Sequence, residues 1–238
     1  MIFVKSEDLK YGMRLAKPIY NKTGVLLYER NTRLTLQGIE SVKNFGLLGL
    51  YILEPAEPVP PMSEEDLDFE RFQTMAVFSI REELDNIIAG REPINLKRLA
   101  NAIITNYGRL DHKITFTQNL RSTTDYVYKH VINTAILCAL ISAQVYYTPT
   151  EQEELVLAAL LHDIGKLLLP NKVREKYDDY DTNDLIIVKK IQNDGLGLLR
   201  PEIGIDSGVR RIVAQIHRME YGLSLIHISE PTRQEAIS

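Results

Sequence analysis

The sequence contains few of the features that would assign this protein to a particular class, such as cysteines or an excess of basic residues. Its 238 residues contain one cysteine, Cys138, which excludes an internal disulfide and favours a reducing, cytoplasmic environment. Its 28 lysine and arginine residues are outnumbered by 32 acidic ones, which argues against a nucleic-acid polymer held by a general positive field. We expect neither a signal segment at the start nor an apolar stretch long enough to span a membrane.

Apolar residues, in contrast, are plentiful. They make up 45% of the chain, which is enough to bury one sizeable core and a small extra domain. The proline-dense run EPAEPVPP predicts a stiff, extended linker, which we assign to residues 54–62. The linker separates an N-terminal module, residues 1–53, from a helical connecting region at 63–121 and a further domain at 122–222.

The N-terminal module has the pattern of a small α/β unit. Strand-like runs at residues 12–20 and 25–28 flank residues 21–24, which have the composition of a tight turn. Thr35 is predicted to cap a short helix, and residues 48–53 form a third strand. None of these residues has the chemistry of a reaction centre, so we interpret the module as regulatory or as a packing unit.

The connecting region is predicted to be helical. Ser63 precedes an acidic first turn and should cap a long helix that ends near Gly90, and a second helix runs from about Asn95 to Tyr107. Such a region would also suit the contacts of a homodimer. The apolar side chains expected in its core are Leu67, Phe72, Met75, Ile80, Leu84 and Ile87.

The most informative stretch is residues 155–170, LVLAALLHDIGKLLLP. Its apolar stripe at helical spacing predicts a core helix that ends in the adjacent His162 and Asp163. A buried, unpaired carboxylate is very costly, but burial is tolerated when the carboxylate binds a metal or meets a cation. The alternative interpretation is a helix end at which Asp163 caps a neighbour and His162 is an ordinary core histidine.

A further histidine, His130, lies in the apolar run TTDYVYKHVINTAILCALISAQV. Its separation from His162 suits two antiparallel helices joined by a short loop, and facing helices would bring both imidazoles to one metal. The alternative is that His130 is structural. Thr150 and Glu153 have the spacing of a capping box, which predicts where the second of these helices begins.

These motifs resemble those of the HD superfamily of metal-dependent phosphohydrolases, in the form found in the HD-GYP subfamily of cyclic di-GMP phosphodiesterases. AALLHDIGKLLLP is similar to the central motif, and DYVYKHVINTA is similar to the first ligand motif, with Tyr126, Tyr128 and His130 at matching positions. The resemblance covers residues 122–222. It implies a mainly α fold, an HD-type helical bundle preceded by the small α/β module, and a cyclic dinucleotide as the partner.

The resemblance also implies roles for single residues. His130, His162 and Asp163 match ligands of a divalent transition metal, with iron or manganese as the first candidates. Lys166 matches a lysine that handles the scissile phosphate or the leaving oxygen, and Asp163 and Lys166 are therefore the expected catalytic residues. The alternative for Lys166 is a solvated lysine stabilised by the dipole at the helix end.

Later in the chain the sequence departs from the family pattern. Ile191 stands where the family has another histidine ligand, four residues before the matching Gly195. Ile216 stands at the first of a later pair of histidines, and His217 at the second. With His217 as a fourth ligand the residues could hold one metal, whereas a two-metal centre would lack ligands.

The last residues have a different character from the rest. The run LSLIHISEPTR, which begins directly after Gly222, matches the translation of an adapter used to prepare sequencing libraries. We therefore expect residues 223–238 to be adapter read-through, and His227 is not offered as a ligand. The residues that name the HD-GYP loop are missing from the chain as written.

Three interpretations follow. The first is an active phosphodiesterase of cyclic di-GMP or a related nucleotide in a bacterial cytoplasm. The second is a catalytically inactive HD-GYP-like domain that binds or dimerises in signalling, and the third is a helical scaffold in which the HD pair is a relic. The family resemblance supports the first as the ancestral activity, whereas Ile191 and Ile216 favour the second for this copy.

Overall fold

The computed structural model describes residues 1–45, 47, 49–109, 125–176 and 179–221. The structure is 61% helical, and its few strands lie near the N-terminus. The prediction of a mainly α, HD-type fold behind a small N-terminal α/β unit is therefore confirmed.

The N-terminal module combines two small antiparallel sheets with one helix. Its elements are β1 (Ile2–Lys5), β2 (Arg14–Leu15), β3 (Ile19–Tyr20), β4 (Leu26–Tyr28), α1 (Leu36–Asn44) and β5 (Gly49–Leu53). Strand β5 lies between β1 and β2 in a three-stranded sheet, and β3 pairs with β4 as a hairpin.

Local signals account for the turn and the helix start of this module. The side chain of Asn21 accepts a hydrogen bond from the N–H of Thr23 at 2.9 Å, and Gly24 adopts a φ of 78° that favours glycine. Thr35 caps α1, because its hydroxyl accepts the N–H of Gly38 at 3.0 Å. The predicted turn and the predicted cap are both confirmed.

The strands differ from the prediction in two places. The single strand expected over residues 12–20 is divided into β2 and β3, because Pro18 lies between them and has no N–H for a ladder hydrogen bond. Strand β1 was not predicted, since its residues are mostly exposed and show no alternation of apolar and polar faces. The third predicted strand is β5, and residue 48 lies outside the described residues.

The helical part forms one apolar core. Its helices are α2 (Glu64–Ile88), α3 (Leu96–Tyr107), α4 (Asp125–Gln144), α5 (Pro149–Leu161), α6 (Asn171–Arg174), α7 (Thr182–Leu198) and α8 (Ser207–Tyr221). Two 3-10 turns, Ile164–Leu168 and Pro201–Ile203, connect some of them. Helix α4 packs against α5, α3 contacts both, α2 lies against α3 and α4, and α8 lies against α5 and α7.

Helix α2 begins where predicted, but its buried face is different from the predicted one. Ser63 caps it in a capping box with Asp66, and Ile80, Leu84 and Ile87 are buried as expected. Met75 is exposed, which contradicts the prediction: its side chain lies outside the helical core, near Gly24 in the turn of the N-terminal module. Leu67 and Phe72 are only half-buried, and the core face is completed by Phe69, Ala76 and Val77.

A buried ion pair joins the N-terminal module to the helical part. The ammonium of Lys17, which follows β2, contacts the carboxylate of Glu70 on α2, and both residues are buried. Burial raises the pKa of Glu70, and the charge of Lys17 opposes that rise. Because an unpaired charge would be costly at this depth, the pair holds the module against α2.

Helix α4 corrects the expectation about membrane-spanning stretches. By length and composition alone, Asp125–Gln144 is long and apolar enough to cross a membrane. In this fold α4 packs against α2, α3 and α5, and Val131, Ile132, Ala135 and Ile136 have no exposed area. These buried residues suit a core helix, whereas Leu137 and Ile141 on the same helix are exposed, and 44% of its apolar window is buried.

Helix α5 starts two residues earlier than the sequence suggested. Its cap is Thr148, whose hydroxyl accepts the N–H of Glu151 at 3.3 Å, while the carboxylate of Glu151 accepts the N–H of Thr148 at 2.9 Å. The predicted box of Thr150 and Glu153 has the same spacing. Pro149 decides between them, because proline favours the first position of a helix and disfavours a helical residue before it.

This difference can be tested by removing one hydroxyl at a time. We expect Thr148→Ala to lower the free energy of unfolding by about 1 kcal/mol, because one N–H at the helix start loses its partner. Thr150→Ala is the matched control and should change it by less than about 0.5 kcal/mol, as an exposed substitution without a cap. Urea denaturation followed by circular dichroism measures both, and a larger loss for Thr150→Ala would contradict the structure.

Candidate metal centre

The HD pair lies at the C-terminal end of α5, inside the core. His162 caps the helix, and Asp163 leads into the 3-10 turn Ile164–Leu168. The exposed fraction is 5% for His162 and 1% for Asp163. The predicted burial of the two polar residues is therefore confirmed, and each must find partners inside the protein.

The ring of His162 is oriented by its own helix. Its Nδ1 lies 2.8 Å from the carbonyl oxygen of Ala159, to which only a protonated Nδ1 can donate. In the neutral imidazole this hydrogen bond leaves the lone pair on Nε2. A backbone carbonyl that fixes the tautomer in this way is typical of histidines that bind metals.

His130 on α4 meets the pair from the facing helix. Its Nε2 lies 3.3 Å from Nε2 of His162 and 3.5 Å from Oδ2 of Asp163, and Nε2 of His162 lies 3.5 Å from the same oxygen. Two imidazoles and a carboxylate thus present three donor atoms to one point. The short loop between α4 and α5 makes the helices antiparallel, as the separation of the histidines predicted.

The spacing of these three donors suits a transition metal. Bonds of about 2.0–2.1 Å from a metal to nitrogen and oxygen ligands place tetrahedral neighbours roughly 3.3–3.4 Å apart. The observed separations of 3.3 and 3.5 Å are close to that value. Mixed histidine and carboxylate donors are also the set that iron, manganese and zinc accept. The described residues therefore fit a divalent metal.

Both carboxylate oxygens of Asp163 have further partners. The ammonium of Lys166 lies 3.0 Å from Oδ2, and the side-chain N–H of Gln192 on α7 donates to Oδ1 at 2.7 Å. Burial works against the ionised form, but the charge of Lys166, together with those of His162 and His130 when their rings are protonated, outweighs it and lowers the pKa of Asp163. Asp163 is thus an anion at neutral pH, which is the form that binds a metal.

Lys166 belongs to this group and is not a solvated lysine at a helix end. Its exposed fraction is 7%, so the alternative suggested for it by the sequence is wrong. The 3-10 turn carries Lys166 three residues beyond Asp163, and this spacing turns its ammonium back towards the carboxylate. A cation is therefore held next to the donors.

Helix α7 contributes a residue that sequence reasoning missed. Ile191, where the resemblance to the HD-GYP pattern implied a histidine, packs with Leu169, Val173 and Val188 in a small apolar cluster. The next residue, Gln192, is completely buried and reaches Asp163. The signal was present in the sequence, because Gln192 is a polar residue in line with Val188 and Leu196 at helical spacing, on the buried face of α7.

His217 on α8 lies outside the group of three donors. Its Nε2 donates to the backbone carbonyl oxygen of His162 at 2.5 Å, and burial lowers the pKa of His217. The structure thus gives His217 a contact with the backbone that carries a donor. Ile216 is half-buried beside it, and Gly222 lies outside the described residues.

Comparisons with known proteins point to the same stretch of chain. The family model of the HD domain matches residues 127–227, a range that includes His130, His162, Asp163 and Gln192. No curated protein and no solved structure matches this chain.

Metal content tests the donor group directly. We expect the purified chain to bind one divalent transition metal. His130→Ala should weaken its affinity at least tenfold, because loss of a residue that only orients a ligand already costs about 10- to 100-fold. Thr134→Ala, one turn further along α4, is the control and should keep the native affinity. Elemental analysis after gel filtration measures the metal content. An equal metal content in the two variants would contradict the assignment of His130 as a ligand.

Proposed function

We propose that the HD domain at residues 127–227 makes this chain a metal-dependent phosphohydrolase that acts on a nucleotide phosphodiester. The observation that supports this proposal best is the convergence of His130, His162 and Asp163 on one point, beside a buried lysine. As the finer proposal, the similarity of the motifs to the HD-GYP pattern favours cyclic di-GMP as the substrate. The single cysteine fits a reducing cytoplasm as the place of action, and the resemblance to the HD-GYP pattern favours a bacterial one.

The chemistry of phosphodiester hydrolysis explains why these residue types suit the reaction. A bound divalent metal would lower the pKa of a bound water, and it would act as a Lewis acid on the phosphoryl oxygens. In this chain His130, His162 and Asp163 would hold that metal, with iron or manganese as the first candidates. The hydrogen bond from His162 to Ala159 and the contacts of Asp163 keep two of these donors in place before any ligand arrives.

The exposure of the donors indicates the side from which a substrate enters. The side chain of His130 is 39% exposed, whereas those of His162, Asp163 and Lys166 are 6%, 2% and 9% exposed. A phosphate would therefore approach along α4, where Tyr126 stacks on His130 with ring centroids 6.2 Å apart. The opposite side is closed by α7 and α8, which exclude bulk water.

Lys166 supplies the positive charge that the reaction needs beside the donors. Hydrolysis builds negative charge on the phosphoryl and leaving oxygens, and a fixed cation stabilises charge that appears only in the transition state. Because Oδ2 of Asp163 holds the ammonium at 3.0 Å, Lys166 is already oriented and cannot move into solvent without breaking a buried ion pair.

The second candidate function is that of a domain with the same fold that does not catalyse phosphodiester hydrolysis. The side chain of Ile191 packs in an apolar cluster, and His217 donates a hydrogen bond to the backbone carbonyl oxygen of His162. Neither residue therefore adds a donor to the group of three. This arrangement favours one metal over two. A catalytically inactive domain that binds a cyclic dinucleotide, or that assembles as a homodimer in signalling, is therefore the alternative, and a purely structural helical scaffold is a third.

Hydrolysis assays distinguish these functions. With the manganese- or iron-loaded chain we expect turnover of cyclic di-GMP or of bis(p-nitrophenyl) phosphate, and Lys166→Met should lower kcat by about 100-fold or more with unchanged metal content. The control is Lys172→Met, an exposed lysine on α6, which should leave kcat unchanged. Tight binding of cyclic di-GMP without hydrolysis, in metal-loaded native protein, would favour the inactive alternative.

A further inference from the structure

We infer that Gln192 is a positioning residue of the metal centre, whose amide holds the Asp163 carboxylate in the orientation that presents Oδ2 to both histidines. The inference deepens the proposed function and rests on it. Its basis is the 2.7 Å hydrogen bond from Nε2 of Gln192 to Oδ1 of Asp163, between two residues that are 0% and 1% exposed.

The direction of this hydrogen bond follows from the chemistry of its two groups. An ionised carboxylate only accepts hydrogen bonds, so the amide must turn its N–H towards Asp163 and its oxygen away. In the described structure that oxygen is buried and has no hydrogen-bond partner. A buried acceptor without a partner is destabilising, and an apolar residue in line with Val188 and Leu196 would avoid the cost. The hydrogen bond to Asp163 offsets that cost.

The two carboxylate oxygens of Asp163 have different partners. Oδ1 faces Gln192, whereas Oδ2 lies 3.0 Å from Lys166 and 3.5 Å from each histidine nitrogen. The terminal torsion of an aspartate is soft, so a carboxylate held through one oxygen alone could rotate. The hydrogen bond to Oδ1 removes this freedom and fixes the distance from Oδ2 to His130 and His162.

The backbone around Gln192 makes its position rigid. Helix α7 lies directly on the 3-10 turn, and a methyl group on Gly195 would come within 2.6 Å of Cα of Gly165. A methyl group on Gly165 would in turn come within 2.7 Å of Cα of Gln192. Neither glycine needs a positive φ, so both serve the close approach of the two backbones. Gln192 is thus held where its amide meets Asp163.

Cobalt binding by the full chain tests the inference without an activity assay. Gln192→Met keeps the length and volume of the side chain but removes the donor, and Gln192→Asn shortens the amide so that it no longer reaches Asp163. We expect either variant to raise the Kd for Co²⁺ by about 10- to 100-fold and to change the visible absorption spectrum of the bound ion. Ile191→Val, on the same helix, is the control and should keep the native Kd and spectrum.

Each outcome has a distinct meaning. Native Kd and spectrum in a folded Gln192→Met or Gln192→Asn variant would overturn the role of Gln192 and leave the proposed function standing. Failure of the native chain to bind Co²⁺ would overturn the proposed function and this inference with it. Melting curves of the metal-free proteins show which variants are folded, and a weakened site in a variant as stable as Ile191→Val supports a positioning role.

Discussion

The packing of α4, α5 and α7 around the candidate centre depends on one buried negative charge. Asp163 is 1% exposed, and its removal from water would be prohibitive without compensating groups. The compensation comes from Lys166 on the following turn, from His162 beside it, from His130 on α4 and from Gln192 on α7. Because these partners come from separate segments, the charge is stable only when α4, α5 and α7 converge, and that convergence also brings together the donors of the candidate metal centre.

Contacts with the backbone hold this arrangement together. Gly165 and Gly195 let α7 lie directly on the 3-10 turn, and His217 reaches from α8 to the carbonyl oxygen of His162. These residues need not touch a ligand to matter, since the outer contacts of a metal site orient its donors. His217 thus contacts the candidate centre through the backbone of His162, and Gln192 contacts it through the carboxylate of Asp163.

Helix α4 connects the candidate centre with the N-terminal module. It carries His130, and the preceding Lys129 lies close enough to the interface to feel the charge of Glu70, the partner of Lys17. Burial lowers the pKa of Lys129 to about 8, and the charge of Glu70 opposes that shift. Lys129, which faces the module interface, and His130, a donor of the candidate centre, are therefore neighbours on one helix.

Features that depend on residues close together along the chain could be predicted from the sequence. Helical periodicity, the Ser63 and Thr35 caps and the turn before Gly24 predicted most elements, and the HD pair with His130 predicted three converging donors. Where two local signals competed, as at Thr148 and Thr150, or where a side chain had a choice of neighbours, as at Met75, the prediction from the sequence was wrong. Only the tertiary structure showed that Gln192 meets Asp163, that Lys166 is buried and that His217 contacts a backbone. These contacts depend on the rotation and depth at which helices pack, which follow from the whole core and not from the spacing of residues along one helix.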